Sequence, residues 1–142
     1  MVYMSEPSPN DWNSKIIEEF RANDGKVGGQ FEGAPVLLLG TTGAKSGQPR
    51  VNPTMYLDLD GRIFVFASKA GAPTNPDWYH NLVANPEVTV ELGSEKFTAQ
   101  AASLEGEERT SVYDEQATRF PGFREYQDGT DRVIPVVELV RS

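Results

Sequence analysis

The chain has 142 residues, with 21 Asp and Glu against 13 Lys and Arg, a formal net charge of −8, one histidine and no cysteine. That length suits about one domain with a single core, and the missing cysteines exclude disulfides, thiolate metal sites and cysteine nucleophiles. A lone His80 leaves no His-rich metal cluster and no ready Ser-His-Asp triad, and the negative charge opposes nucleic acid and anionic membranes, so the expected partner is a small molecule.

The opening Met1-Val2-Tyr3-Met4-Ser5-Glu6 has neither the basic nor the apolar region of a secretory signal. No apolar run nears the roughly 20 residues needed to span a bilayer, so a cytoplasmic protein without stable membrane insertion is expected. From Asp11, a capping aspartate, Trp12, Ile16, Ile17 and Phe20 recur at helical spacing until Gly25, Gly28 and Gly29 stop the pattern. This predicts an amphipathic helix packed on the rest of the chain, and a division into an N-terminal segment, residues 1–30, and a barrel domain, residues 31–142.

Strand signals follow. Pro35 to Gly40 is a short buried run; Val51 to Asp58 and Arg62 to Ala67 flank a Leu59-Asp60-Gly61 turn; Glu87 to Leu92 and Phe97 to Leu104 flank a second turn at Gly93-Ser94; and Val133 to Val140 is the sixth strand. Leu37, Leu39, Phe64 and Phe66 are the expected inward-facing positions. Asn75-Pro76-Asp77 reads as a helix start, with Trp78, Leu82 and Val83 as its apolar face and Asn85-Pro86 as its end. Glu105 to Gln127 reads as a helix broken at Pro121-Gly122. About six antiparallel strands with inserted helices, mainly β in an α+β sense, point to a small closed or split β-barrel, because closure removes exposed edges.

One stretch stands apart electrostatically. No carboxylate occurs from Gly33 to Leu57 or from Gly61 to Pro76, whereas Lys45, Arg50, Arg62 and Lys69 do. Within it, Thr41-Thr42-Gly43-Ala44-Lys45-Ser46-Gly47-Gln48-Pro49-Arg50 is a small-residue turn whose N–H groups, hydroxyls and cations could surround a phosphate; a solvated hairpin turn with two surface cations is the plain alternative.

Three motifs carry a family resemblance: Thr42 to Pro53, then Ala67-Ser68-Lys69-Ala70-Gly71, then Asn75 to Pro86, with a closing Arg132-Val133-Ile134-Pro135-Val136. In order and spacing they resemble the deazaflavin-dependent nitroreductase family of actinobacteria. The resemblance implies a split β-barrel related to FMN-binding barrels, and coenzyme F420, whose phosphate and oligoglutamate tail are anionic. It also implies that Lys45 and Arg50 hold the phosphate and tail, with Ser46 and Gly47 donating from the turn. Ala67, Ser68, Lys69, Ala70 and Gly71 would line the tail and ring edge, Lys69 as a third cation, while Pro53, Tyr56 and Trp78 shape the ring pocket.

Reduced deazaflavin is a hydride donor, so the protein is expected to position, exclude water and stabilise charge rather than supply a nucleophile. Ser68 and Tyr126 are the candidate catalytic hydroxyls, and His80 is expected to be structural. In nitroimidazole-activating members of the family a tyrosine triplet lines the substrate side; the matching positions here are Phe120, Phe123 and Tyr126. Together with Tyr113 they would form a wall suited to a planar acceptor, a quinone, enone or nitroaromatic, with nitroimidazoles disfavoured by two missing hydroxyls. The implied activity is an F420-dependent oxidoreductase of nitroreductase or quinone reductase type. An FMN-binding barrel and a protein that holds F420 without turnover are the alternatives, and a homodimer is an expectation by analogy.

Overall fold

The run Val36-Leu37-Leu38-Leu39 shows no polar alternation because both of its faces are covered. In a computed structural model of the chain, which describes residues 9–23, 25, 35–71 and 73–142, Leu37 and Leu39 point into a barrel while Val36 and Leu38 point out under a helix. The elements in chain order are α1 (Pro9–Ala22), β1 (Val36–Thr42), β2 (Pro49–Leu59), β3 (Arg62–Phe66), a one-turn 3-10 helix (Lys69–Gly71), α2 (Asp77–Ala84), β4 (Glu87–Leu92), β5 (Glu95–Ser103), α3 (Gly106–Arg119), α4 (Gly122–Asp128) and β6 (Val136–Arg141).

All strand pairs are antiparallel, and the order β1-β2-β3-β6-β5-β4 closes through Leu38↔Glu91, Leu39↔Val90 and Gly40↔Thr89. This is the six-stranded split barrel expected of the sequence. Closure brings β1 and β4 so near that a Cβ on Gly40 would lie 2.1 Å from the Thr89 hydroxyl oxygen.

Three apolar clusters follow from strand alternation. Inside the barrel, Leu37, Leu39, Ile63, Val65, Val90 and Val137 meet Trp78 and Leu82 of α2. Outside β2 and β3, Leu57, Phe64 and Phe66 lie under α3 and α4, against Val112, Tyr113 and Phe123. Phe20 of α1, with Ile16 and Ile17, covers Val36 and Leu38. Phe64 and Phe66 therefore face outward, contrary to the expectation; Ile63 and Val65 are the inward pair. Parity cannot be read from β3 because helices cover the outer face that solvent would otherwise mark as polar.

Helix α1 ends where Gly25 N–H donates to the Phe20 carbonyl (2.8 Å) with φ +97°, the left-handed cap that favours glycine. The helix already runs from Pro9, so Asp11 lies inside its first turn and is not the cap expected of it; the Trp12 side chain, Gly28, Gly29 and the boundary at residue 30 lie outside the described residues. Among the described residues no helix is long and apolar enough to cross a membrane.

Arg21 fixes α1 to β4 through a two-pronged contact with Glu91, at 3.0 and 2.6 Å. The Arg21 hydrogen bond holds the Glu91 carboxyl below its ordinary value, against burial. A carboxyl whose native pKa is depressed adds stability above its unfolded pKa and loses it as pH falls through the native one. Acidification below the ordinary glutamate range should therefore lower the melting temperature, and Glu91→Gln should flatten that acid limb relative to wild type. Parallel limbs in the two proteins would show that the contact contributes nothing.

Candidate functional site

The turn after β1 is built by its own backbone. Gly43 N–H donates to the Gln48 carbonyl (2.8 Å), Gly47 N–H to the Gly43 carbonyl (2.9 Å), and the Ser46 hydroxyl accepts from Gln48 N–H (3.2 Å). Gly47 has φ +71°, which a residue with a Cβ rarely adopts. Helix α2 pins the turn from the side. Asn81 accepts from Ala44 N–H (2.9 Å) and donates to the Thr41 hydroxyl (3.3 Å), while Asn85 donates to the Thr42 carbonyl (3.4 Å).

Between the turn and α2 lies an open cavity of about 620 Å³ lined by Gly43, Ala44, Lys45, Ser46, Arg50, Asp77, His80 and Asn81. Elsewhere arginines are committed: Arg21, Arg62, Arg119, Arg124 and Arg141 each meet a carboxylate. Neither the Lys45 nor the Arg50 side chain has a hydrogen-bond or ion-pair partner among the described residues, and both are exposed. Two uncommitted cations on a rigid turn form an anion-binding surface, with Asp77 the opposing charge. Arg62, from the same carboxylate-poor stretch, is not part of it. It donates to Glu138 at 3.0 and 2.8 Å and to Glu108 at 3.2 Å, on the far side of β3.

A second cavity, about 270 Å³, is lined by Pro53, Thr54 and Met55 of β2, Phe66, Ser68, Lys69, Pro76 and Trp78, and Phe123 and Tyr126 of α4. The first turn of α2 separates the two: Pro76 and Trp78 face this cavity, Asp77, His80 and Asn81 the other. Four aromatic residues, Phe66, Trp78, Phe123 and Tyr126, wall it, with Phe123 edge-on to Phe66 (5.6 Å) and to Tyr126 (5.3 Å). The Ser68 and Tyr126 hydroxyls line it half-buried, and neither has a hydrogen-bond partner among the described residues. Gly71 sets the distance between the 3-10 turn and α4. It has φ +80°, and a Cβ there would lie 2.9 Å from the Tyr126 carbonyl oxygen.

Of the residues expected at the site, Lys45, Ser46 and Arg50 share one cavity, and Pro53, Ser68, Lys69, Trp78, Phe123 and Tyr126 share the other. Lys69 is therefore not grouped with the other two cations. It has φ 47° and donates to the Thr74 hydroxyl (3.3 Å). Four expected side chains lie off both cavities. Tyr56 packs with the barrel interior, where burial raises its pKa. Ala67 is wholly buried in the same cluster. Phe120 packs against the outer cluster. Tyr113 is buried with its hydroxyl donating to the Phe123 carbonyl (2.5 Å), and burial pushes its pKa up to about 12, so it is a strut for α4 rather than a proton source. Gly47 and Gly71 act through backbone shape, and the Ala70 side chain lies outside the described residues. His80, expected to be structural, is exposed on the cation cavity.

Sequence reading missed Asn81, Thr54, Met55, Phe66 and a polar network under α4. In that network Arg109 donates to the Ile134 carbonyl (3.0 and 2.8 Å) and to Gln127 (2.5 Å), whose amide in turn donates to the Arg132 carbonyl (2.7 Å). Asn81 lay within the third motif, where a hydrogen-bonding side chain in the middle of a short helix was the available signal.

Comparison with known proteins agrees with the barrel fold. The model of the family described as F420H(2)-dependent quinone reductase matches residues 12–140. A protein of Mycobacterium tuberculosis (strain ATCC 25618 / H37Rv), F420H(2)-dependent quinone reductase Rv1261c, is 38% identical over 129 residues, covering 86% of this chain and 85% of its own length. The solved structure of an F420-H2 dependent reductase (FDR-A) superposes with a TM-score of 0.68 at 42% identity, over 74% of this chain and 93% of its own. A structure described as a domain-swapped dimer superposes at 0.70 with 39% identity, over 93% and 99%.

Proposed function

The chain belongs to the F420H(2)-dependent quinone reductase family, and we propose that it transfers a hydride from reduced coenzyme F420 to a planar acceptor of the quinone class. The observation that carries the reading is the uncommitted Lys45–Arg50 pair beside an aromatic-walled cavity. These residues fit the cofactor's chemistry, since a phosphate and a glutamate tail need exposed cations and a deazaflavin ring needs flat apolar walls. When bound, the deazaflavin supplies the hydride.

The chain's own residues do the rest. Lys45 and Arg50 hold the anionic end, helped by Ser46 and the backbone at Gly47. Pro53, Met55 and Trp78 bound the ring face, Phe66 and Phe123 exclude water, and Lys69 guards the rim. The Ser68 and Tyr126 hydroxyls orient the acceptor and relay the proton it needs from water. Phe123 offers no such hydroxyl, so quinones and enones suit the wall better than nitroaromatics do. A homodimer belongs to the proposal, supported by the domain-swapped dimer of the 39% identical relative.

Fluorescence titration with F420 and with FMN tests the assignment. F420 should bind more tightly, with an affinity that falls as salt rises, because its tail adds charge beyond a single phosphate. Tighter binding of FMN would transfer the reading to a flavin barrel.

A further inference from the structure

We propose that Arg132 is a positioning residue that locks the Ser68–Lys69 backbone into the shape the ring cavity requires. The proposal rests on the reading given under Proposed function for what occupies that cavity, but the lock itself is a property of the free protein. The Arg132 guanidinium gathers three acceptors: the Ala67 carbonyl (3.0 Å), the Asn75 side-chain oxygen (2.7 Å) and the Ser68 carbonyl (2.6 Å). Ala67 and Ser68 belong to the segment after β3, and Asn75 immediately precedes Pro76 and α2. Ser68, Lys69 and Pro76 all line the cavity, so one side chain ties two of its rims together.

The lock also fixes which way the peptides face. In a trans peptide the N–H opposes the carbonyl. With the Ala67 and Ser68 carbonyls both drawn to the guanidinium, the N–H groups of Ser68 and Lys69 are turned away from it, and neither donates to a described residue. Lys69 follows directly at φ 47°, in the left-handed region that a concave run of N–H groups uses to receive an acceptor oxygen. The same contacts orient the Ser68 hydroxyl. Gln127 extends the lock to α4, since its amide donates to the Arg132 carbonyl (2.7 Å) and its oxygen accepts from Ile134 N–H (3.0 Å), one residue beyond Tyr126. A guanidinium can serve three acceptors from one plane; an ammonium at the same place cannot match that fork.

The test compares wild type with Arg132→Met and Arg132→Lys in the full chain. Amide hydrogen exchange of the cofactor-free proteins should rise by about tenfold or more in Arg132→Met at Ala67 and Gly71, whose N–H groups donate to the Pro135 carbonyl (3.0 Å) and the Ser68 carbonyl (2.9 Å) on either side of the locked peptides, with β4 and β5 unchanged. With F420 bound and a naphthoquinone as acceptor, kcat should fall by about tenfold to a hundredfold. The salt dependence of F420 affinity should stay at the wild-type slope, because Lys45 and Arg50 are untouched. Arg132→Lys should fall between, and it carries the same test should Arg132→Met fail to fold. A role in stability alone would lower the melting temperature while leaving exchange at Ala67 and Gly71 and turnover per folded molecule at wild-type values; that result overturns the proposal. Failure of the wild type to bind F420 would remove the reading under Proposed function, while the exchange result would still decide the lock.

Discussion

Arg50→Ala and Lys45→Ala are each expected to weaken F420 binding by about 1 to 3 kcal/mol, the loss typical of a charge-assisted contact to an anion. Both side chains are exposed on a turn whose geometry comes from backbone hydrogen bonds at Gly43 and Gly47 and from Asn81, so neither substitution removes a support of the fold. Arg50 should matter more, because its planar fork can engage two oxygens where the Lys45 ammonium acts as a point charge. Asp77 on the same cavity opposes an anion, so Asp77→Asn should move affinity in the other direction. Fluorescence titration at two ionic strengths measures all three. Unchanged affinity in both cation variants, with urea unfolding like wild type, would remove the anion-site argument.

Phe123→Ala is expected to cost about 3 to 5 kcal/mol of stability, the range for deleting a buried aromatic ring. Phe123 is 6% exposed and touches Phe66, Tyr113 and Tyr126 edge-on, which makes it the shared partner of the ring cluster that seats α4 on the barrel. A loss of that size is a large part of the roughly 5 to 15 kcal/mol available to a small domain. The urea midpoint measures it. A change under about 1 kcal/mol would mean that α4 can settle into the gap, and that the outer cluster is not what holds the cavity wall.

How much could be read from the sequence depended on how local the causes were. Strand β4 was read to the residue because alternating Val88 and Val90 are bounded by Pro86 and Gly93. The anion turn was legible for the same reason, since Lys45 and Arg50 lie within six residues. Strand β6 was expected from Val133 but begins at Val136, because the Ile134 backbone is bonded to Gln127 and Arg109 side chains instead of a neighbouring strand. Phe64 and Phe66 were assigned to the wrong face of β3 because α3 and α4, far along the chain, bury its outside. Phe120 was expected in the cavity wall because it matches a position of the family's tyrosine triplet, and Tyr113 was grouped with it, but the fold turns both onto other faces. Arg132 reaches Ala67, Ser68 and Asn75 across more than fifty residues, a relation that no spacing rule encodes.

The most direct measurement of the central claim is oxidation of reduced F420 by the wild-type protein, followed by recovery of the cofactor's visible absorbance, with a naphthoquinone and a bicyclic nitroimidazole as parallel acceptors. The expected result is saturable turnover with the quinone, much slower turnover with the nitroimidazole, and loss of quinone turnover at limiting cofactor in a Lys45→Ala, Arg50→Ala double variant. Tight F420 binding with no oxidation above the uncatalysed rate, for either acceptor, would contradict it and make the protein a carrier of the deazaflavin rather than a reductase.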